Sequence, residues 1–150
     1  LYNRESPRRP DRFVTQKIAQ AAAEIAKGRK EKLRLGNLDA RRDWGFAGDY
    51  VKGIWMMLQT DTPDDYILAT GVTHSIRDFL EIAFSHIGLD WKEWVEIDSA
   101  LIRPVEVGLL AGDSSKARKT LGWTNQVTFE GLVRMMVDFQ LRKFPVMEGN

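Results

Sequence analysis

Val14, Ile18, Ala21, Ala22 and Ile25 recur at helical spacing and Gly28 closes the run, so the pattern predicts an amphipathic helix there. Lys32-Leu33-Arg34-Leu35 reads as a short strand ending at Gly36, and Tyr50, Val51, Ile54, Trp55, Met57 and Leu58 predict a second helix. A turn at Thr60-Asp61-Thr62-Pro63-Asp64-Asp65 precedes Tyr66-Ile67-Leu68-Ala69-Thr70, a continuous apolar run ended by Gly71. Such a run suits a strand buried on both faces, as in a parallel sheet. Ser75 can cap a third helix with Asp78 three residues on, its apolar face made of Ile76, Phe79, Leu80, Ala83 and Ile87. Val95-Glu96-Ile97-Asp98 alternates weakly as a strand, and Asp113 can cap a short helix through Leu121. A last helix carries Phe129, Leu132, Val133, Met136 and Gln140 on one side. The Met and Trp side chains of these helices read as core.

Helices alternating with short strands give an α/β class. About three strands are visible, thin for an independent sheet. The expectation is the C-terminal part of a doubly wound, Rossmann-type fold: last sheet strands plus a small, mostly helical lobe. No internal repeat, low-complexity tract or dividing linker is visible.

The 150 residues suffice for one domain with a core. A net charge of +1 provides no global field for nucleic acid or an anionic membrane, so neither is expected as a partner. Cysteine is absent, which excludes disulfides and thiolate metal sites and fits a reducing, cytoplasmic setting. No apolar run approaches the roughly 18 residues needed to span a bilayer. The chain opens on Leu1, and Leu1-Tyr2-Asn3 reads like the end of a strand, so the expectation is the C-terminal piece of a longer protein.

Chemistry-bearing residues concentrate in three places. Gly36 to Val51 puts Arg41, Arg42, Asp43, Asp49 and Trp44 in a Gly-bracketed loop, a composition suited to holding an anion against a scaffold. Arg4, Arg8, Arg9 and Arg12 fall within nine residues kept extended by Pro7 and Pro10. They read either as a solvated basic loop or as a phosphate clamp, since the planar guanidinium meets phosphate oxygens bidentately. Ile102-Arg103-Pro104 sets an arginine on a stiff extended segment, suited to diphosphate, with Glu106 three residues on as an acceptor for ribose hydroxyls. Arg42-Asp43 and Arg103 to Glu106 read equally as structural salt bridges. His74 and His86 stand twelve residues apart with no acidic partner at metal spacing, and read as surface or cap residues. No P-loop, G-x-S-x-G or dinucleotide glycine motif is present, and no tyrosine has a lysine four residues later.

Asn3-Arg4-Glu5-Ser6-Pro7-Arg8-Arg9 followed by Phe13-Val14-Thr15-Gln16-Lys17-Ile18 resembles the N-H-E-S-P-R-R…F-V-T-R-K-I segment of GDP-mannose 4,6-dehydratases. Leu35-Gly36-Asn37-Leu38-Asp39, Arg42-Asp43-Trp44-Gly45, Asp49-Tyr50-Val51, Ala69-Thr70-Gly71, Ile102-Arg103-Pro104, Gly112-Asp113 and Leu121-Gly122-Trp123 follow in that family's order. The resemblance covers essentially the whole chain.

It implies an extended short-chain dehydrogenase whose N-terminal Rossmann portion binds NADP and lies upstream of Leu1, with this chain as the portion gripping GDP-mannose. The reaction it implies converts GDP-mannose to GDP-4-keto-6-deoxymannose, a precursor of GDP-fucose. The family's catalytic Thr, Glu, Tyr and Lys fall outside these residues, so the piece alone is expected to be inactive. By resemblance, Asn3 faces the substrate, Lys17 lies near the guanine, Arg42 and Arg103 hold the diphosphate, Glu106 holds ribose, and Arg4 and Arg9 contact the cofactor. The whole protein is implied to be a homodimer or tetramer. Four departures stand out: Arg4 for histidine, Pro10 for glycine, Arg41 for a small or apolar residue, and Leu101-Ile102 for a Tyr-Phe pair. The alternatives are another GDP-sugar epimerase or reductase on the same scaffold, or a non-catalytic nucleotide-sugar-binding module.

Overall fold

In chain order the elements are β1 (Asn3–Glu5), α1 (Val14–Ala26), β2 (Leu33–Leu35), β3 (Arg41–Arg42), β4 (Trp44–Phe46), α2 (Ala47–Met57), β5 (His74–Ser75), α3 (Ile76–His86), β6 (Val95–Ile97), α4 (Ser115–Leu121) and α5 (Phe129–Lys143), with single 3₁₀ turns at Trp91–Glu93 and Ser99–Leu101. This computed structural model describes residues 3–29, 31–102 and 111–144. The chain divides into two compact units. The first is Leu1–Ser6, Arg41–His74 and Val107–Leu132; the second is Pro7–Ala40, Ser75–Glu106 and Val133–Asn150.

In the first unit β1 and β4 pair in parallel, Asn3 opposite Trp44 and Arg4 opposite Gly45. Tyr50, Leu68, Ala117 and Trp123 form the core beside them, with Tyr50 and Trp123 rings stacked at 5.9 Å. Gly45 is required here: a Cβ would lie 2.5 Å from the Tyr50 hydroxyl. The run 66–70 departs from expectation. Leu68 and Ala69 are fully buried, yet the segment forms no strand among the described residues. Its end is held by a side chain: Thr70 and Gly71 donate their backbone N–H groups to Asp43. Asp113 also departs. The helix starts at Ser115, and Asp113 Oδ1 accepts from the Ser115 N–H at 2.8 Å, one residue ahead of the capping position. That bond, foremost, lowers the Asp113 carboxyl from its usual range.

In the second unit β2 and β6 pair in parallel, Leu33 opposite Val95 and Leu35 opposite Ile97, as their patterns predict. α1 packs against α3. Ala21, Ala22 and Ala23 of α1 bury completely, as do Phe79, Leu80 and Phe84 of α3. Each of those three large side chains contributes roughly 1.5–3 kcal/mol on burial. The predicted cap of α3 is a full capping box: the Asp78 N–H donates to Ser75 Oγ at 3.0 Å and the Ser75 N–H to Asp78 Oδ2 at 2.8 Å. Leu132, Val133, Met136, Val137 and Gln140 of α5 are buried, as their spacing predicts.

Candidate functional site

The loop after Gly36 is two short strands and a helix start, and its charges divide by sign. Asp43 is fully buried. Its carboxylate accepts from the Thr70 N–H (3.0 Å), the Thr70 hydroxyl (2.6 Å), the Gly71 N–H (2.9 Å) and the Gly112 N–H (3.2 Å). Asp49, nearly buried in the first turn of α2, accepts from the Gln126 and Val127 N–H groups at 2.9 and 3.0 Å, and its carbonyl accepts from Trp123 Nε1 at 2.7 Å. Buried carboxylates hydrogen-bonded to backbone donors organise loops. Asp43 and Asp49 are therefore the frame of the loop and are not ligands for a substrate.

The arginines stay outward. Arg41, exposed, donates through Nη2 to the Thr73 carbonyl at 2.7 Å and through Nε to its hydroxyl at 3.3 Å. Arg42, half-buried, donates through Nη1 to the Arg41 carbonyl at 2.6 Å. Asn3 and Arg4 lie on β1 in the same unit, Arg4 exposed and Asn3 half-buried. Trp44, Phe129 and His74 stack in series, with centroids 5.9 and 3.8 Å apart, so His74 packs on an aromatic ring.

Lys17 and Arg9 lie in the second unit. The Arg9 guanidinium stacks over the Phe13 ring at 3.5 Å, with Arg12 at 5.0 Å from the same ring. Lys17, on the exposed side of α1, lines an open groove of about 610 Å³ with Asp11, Arg12, Gln20, Lys32 and Arg34. Four cations and one carboxylate make the groove electropositive. Lys32 donates to the Glu93 carbonyl at 2.6 Å and Arg34 pairs with Glu96 at 3.5 Å. The sequence reading passed over Lys32, Arg34 and Gln20 as groove residues. Their spacing carried the signal: Lys32 and Arg34 alternate on an extended segment onto one face, and Lys17 and Gln20 are three apart on a helix. Arg103 and Glu106 lie outside the described residues.

His86 at the end of α3 is not a lone surface residue: its Nε2 lies 2.7 Å from Asp138 Oδ1. Among the described residues no cluster of three or more His, Asp or Glu could hold a metal ion, and no helix is long and apolar enough to cross a membrane.

Two parallel strand pairs with helices between the strands define an α/β class. Solved structures agree on the fold. The chain superposes on RMD from Pseudomonas aeruginosa complexed with NADPH with a TM-score of 0.86 at 19% identity, covering 95% of this chain and 47% of that one. It superposes on dTDP-glucose 4,6-dehydratase from Bacillus anthracis, in complex with NAD, with a TM-score of 0.80 at 17% identity, covering 94% and 43%. The chain thus shares the fold of just under half of each of those two proteins. The family model described as GDP-mannose 4,6 dehydratase matches residues 1–136, and the chain belongs to that family. It is 55% identical over 141 residues to GDP-mannose 4,6 dehydratase 2 of Arabidopsis thaliana, covering 94% of this chain and 38% of that relative. The chain thus spans about two fifths of the length of that relative.

Proposed function

We propose that this chain is the GDP-sugar-binding portion of a GDP-mannose 4,6-dehydratase, a hydro-lyase that turns GDP-mannose into GDP-4-keto-6-deoxymannose in the cytoplasm, as a homodimer or tetramer. The observation that carries the reading is the electropositive groove around Lys17 in a chain of this family. Lys17 would face the guanine. Asn3 would face the sugar, and Arg42 and Arg103 the diphosphate, with Glu106 on ribose hydroxyls. Remote binding of this kind fixes the hexose against the reacting centre, where orientation lowers a barrier. The residues present suit NADP: the exposed Arg4 and the ring-stacked Arg9 offer guanidinium groups to a phosphate. The nicotinamide supplies a hydride acceptor and donor when bound. Catalytic acid–base groups would come from residues outside this chain, and the chain alone would be inactive.

Isothermal titration of the chain with GDP and GDP-mannose tests the reading. Both should bind, and Lys17→Ala should weaken both by about 10-fold or more, the value of one charge-assisted contact. Equal affinity in that variant removes Lys17 from the site, and absence of GDP binding removes the groove.

A further inference from the structure

The groove beside Lys17 offers more than positive charge. Gln20, half-buried and one turn further along α1, lines it as well. Its Nε2 donates to Glu24 Oε1 at 2.8 Å, and that bond decides which way the amide faces. A carboxylate only accepts, so the NH2 group of Gln20 must turn to Glu24. The amide is planar, so its oxygen turns away from Glu24. Glu24 itself does not line the groove. Among the described residues no donor reaches Gln20 Oε1. Lys17 and Gln20 are three residues apart, which sets their Cβ atoms about 5–6 Å from each other on one helix face. An ammonium that can only donate therefore stands beside an amide oxygen that can only accept.

Purines sort against that pair. Guanine carries an acceptor at O6 and a donor at its N2 amino group, whereas adenine carries an amino group in place of O6 and none at position 2. A guanine with O6 on the Lys17 ammonium turns its N2 edge toward the Gln20 oxygen. Adenine sets an amino group against the ammonium and offers the oxygen nothing. Asp11 is the other acceptor in the groove. It is exposed, and among the described residues no hydrogen bond or ion pair holds its carboxylate. Gln20 is oriented before a ligand arrives, and a preorganised group loses less freedom on binding.

We propose that Gln20 selects guanine, accepting from the N2 amino group with an oxygen that Glu24 holds ready. Gln20 is then a specificity-determining contact and Glu24 a positioning residue that acts through it. The inference rests on the reading that Lys17 faces a guanine nucleotide.

IDP is the test ligand, because its base is guanine without the N2 amino group. Titration calorimetry of the chain should show GDP binding about 5-fold tighter than IDP, the value of one neutral hydrogen bond, with ADP weaker than both. Gln20→Leu should lower GDP affinity to that of IDP and leave IDP unchanged, a split that a merely structural loss would not produce. Glu24→Ala should reduce the GDP-to-IDP ratio to about 2-fold, since the released amide is no longer preorganised. Circular dichroism of both variants should match the unaltered chain. Equal GDP and IDP affinities in the unaltered chain overturn the proposal without any variant. So do parallel losses of GDP and IDP in a folded Gln20→Leu chain, or an unchanged ratio in either variant. A ratio that collapses in Asp11→Asn and survives in Gln20→Leu overturns it too, and gives the role to Asp11. GDP itself separates the two readings. GDP binding that Lys17→Ala weakens, without discrimination against IDP, sinks only the Gln20 assignment, whereas absence of GDP binding sinks the groove and the assignment together.

Discussion

The first unit buries two carboxylates as anchors, whereas the second sets four cations around an open groove. Asp43 and Asp49 are buried and take up backbone N–H groups, so they act as parts of the frame. Lys17, Arg12, Lys32 and Arg34 stand around an open groove, Lys32 and Arg34 tied to Glu93 and Glu96 and Arg12 resting on Phe13. The difference teaches that burial, more than residue type, separates a structural charge from a recognition charge. Desolvated, a carboxylate makes strong bonds whose loss is costly; solvated, a cation adds little stability and remains available.

The largest test of that contrast is Asp43→Ala. It removes the acceptor of three backbone N–H groups, that of Gly112 in the interior, and of the Thr70 hydroxyl, which keeps the Val72 carbonyl. The expected loss is about 3–5 kcal/mol in denaturant unfolding. Lys17→Ala should change stability by less than about 0.5 kcal/mol. Similar losses in the two variants would dissolve the contrast.

Much of this was legible in the chain. The helices of the second unit declared themselves by spacing, and Ser75 with Asp78 declared a cap that the structure completes on both sides. The loop from Gly36 to Val51 stands out in the sequence by its charges, and in the structure Asp43 and Asp49 hold it. What spacing could not show was which partners they hold. Thr70, Gly112 and Gln126 lie 27 to 77 residues away in sequence. The run 66–70 read as a strand because its composition is that of a doubly covered strand, and pairing depends on neighbours no local pattern names. α2 failed the same way. Its Met and Trp side chains read as core, yet Trp55 is exposed while Trp44, Trp91 and Trp123 are buried. Of the candidate ligands, Asn3, Arg4 and Arg42 share the first unit and Lys17 and Arg9 the second; the Arg103 and Glu106 assignments remain expectations.

A smaller effect sharpens the contrast in the second unit. The second unit also holds local polar bonds, and the capping box of α3 is the clearest of them. Ser75→Ala removes the acceptor for the Asp78 N–H and should cost about 1 kcal/mol. Chemical denaturation should show that loss with GDP affinity unchanged. A loss as large as that of Asp43→Ala would mean that local caps and long-range anchors are equally heavy supports.

The smallest effect at neutral pH lies with Tyr50, which tests whether the first unit's interior is as charge-averse as its geometry implies. The ring is 1% exposed and its hydroxyl finds no hydrogen-bond partner among the described residues. Burial, then the charges of Asp43, Asp49 and Glu5, pushes its pKa well above the usual 10. Below that usual value both folded and unfolded chains keep the phenolic proton, and Tyr50 adds no pH dependence. Above it the unfolded chain releases the proton while the folded chain retains it, so stability falls as pH rises. Tyr50→Phe should leave stability at pH 7 within about 1 kcal/mol of the parent, since the hydroxyl it deletes makes no bond. Above pH 10 the parent should lose stability more steeply than the variant, by up to about 1.4 kcal/mol per pH unit, the value of one proton. Parallel slopes would mean that the hydroxyl reaches water or a proton acceptor, and that the buried carboxylates of this unit are less isolated than their bonds indicate.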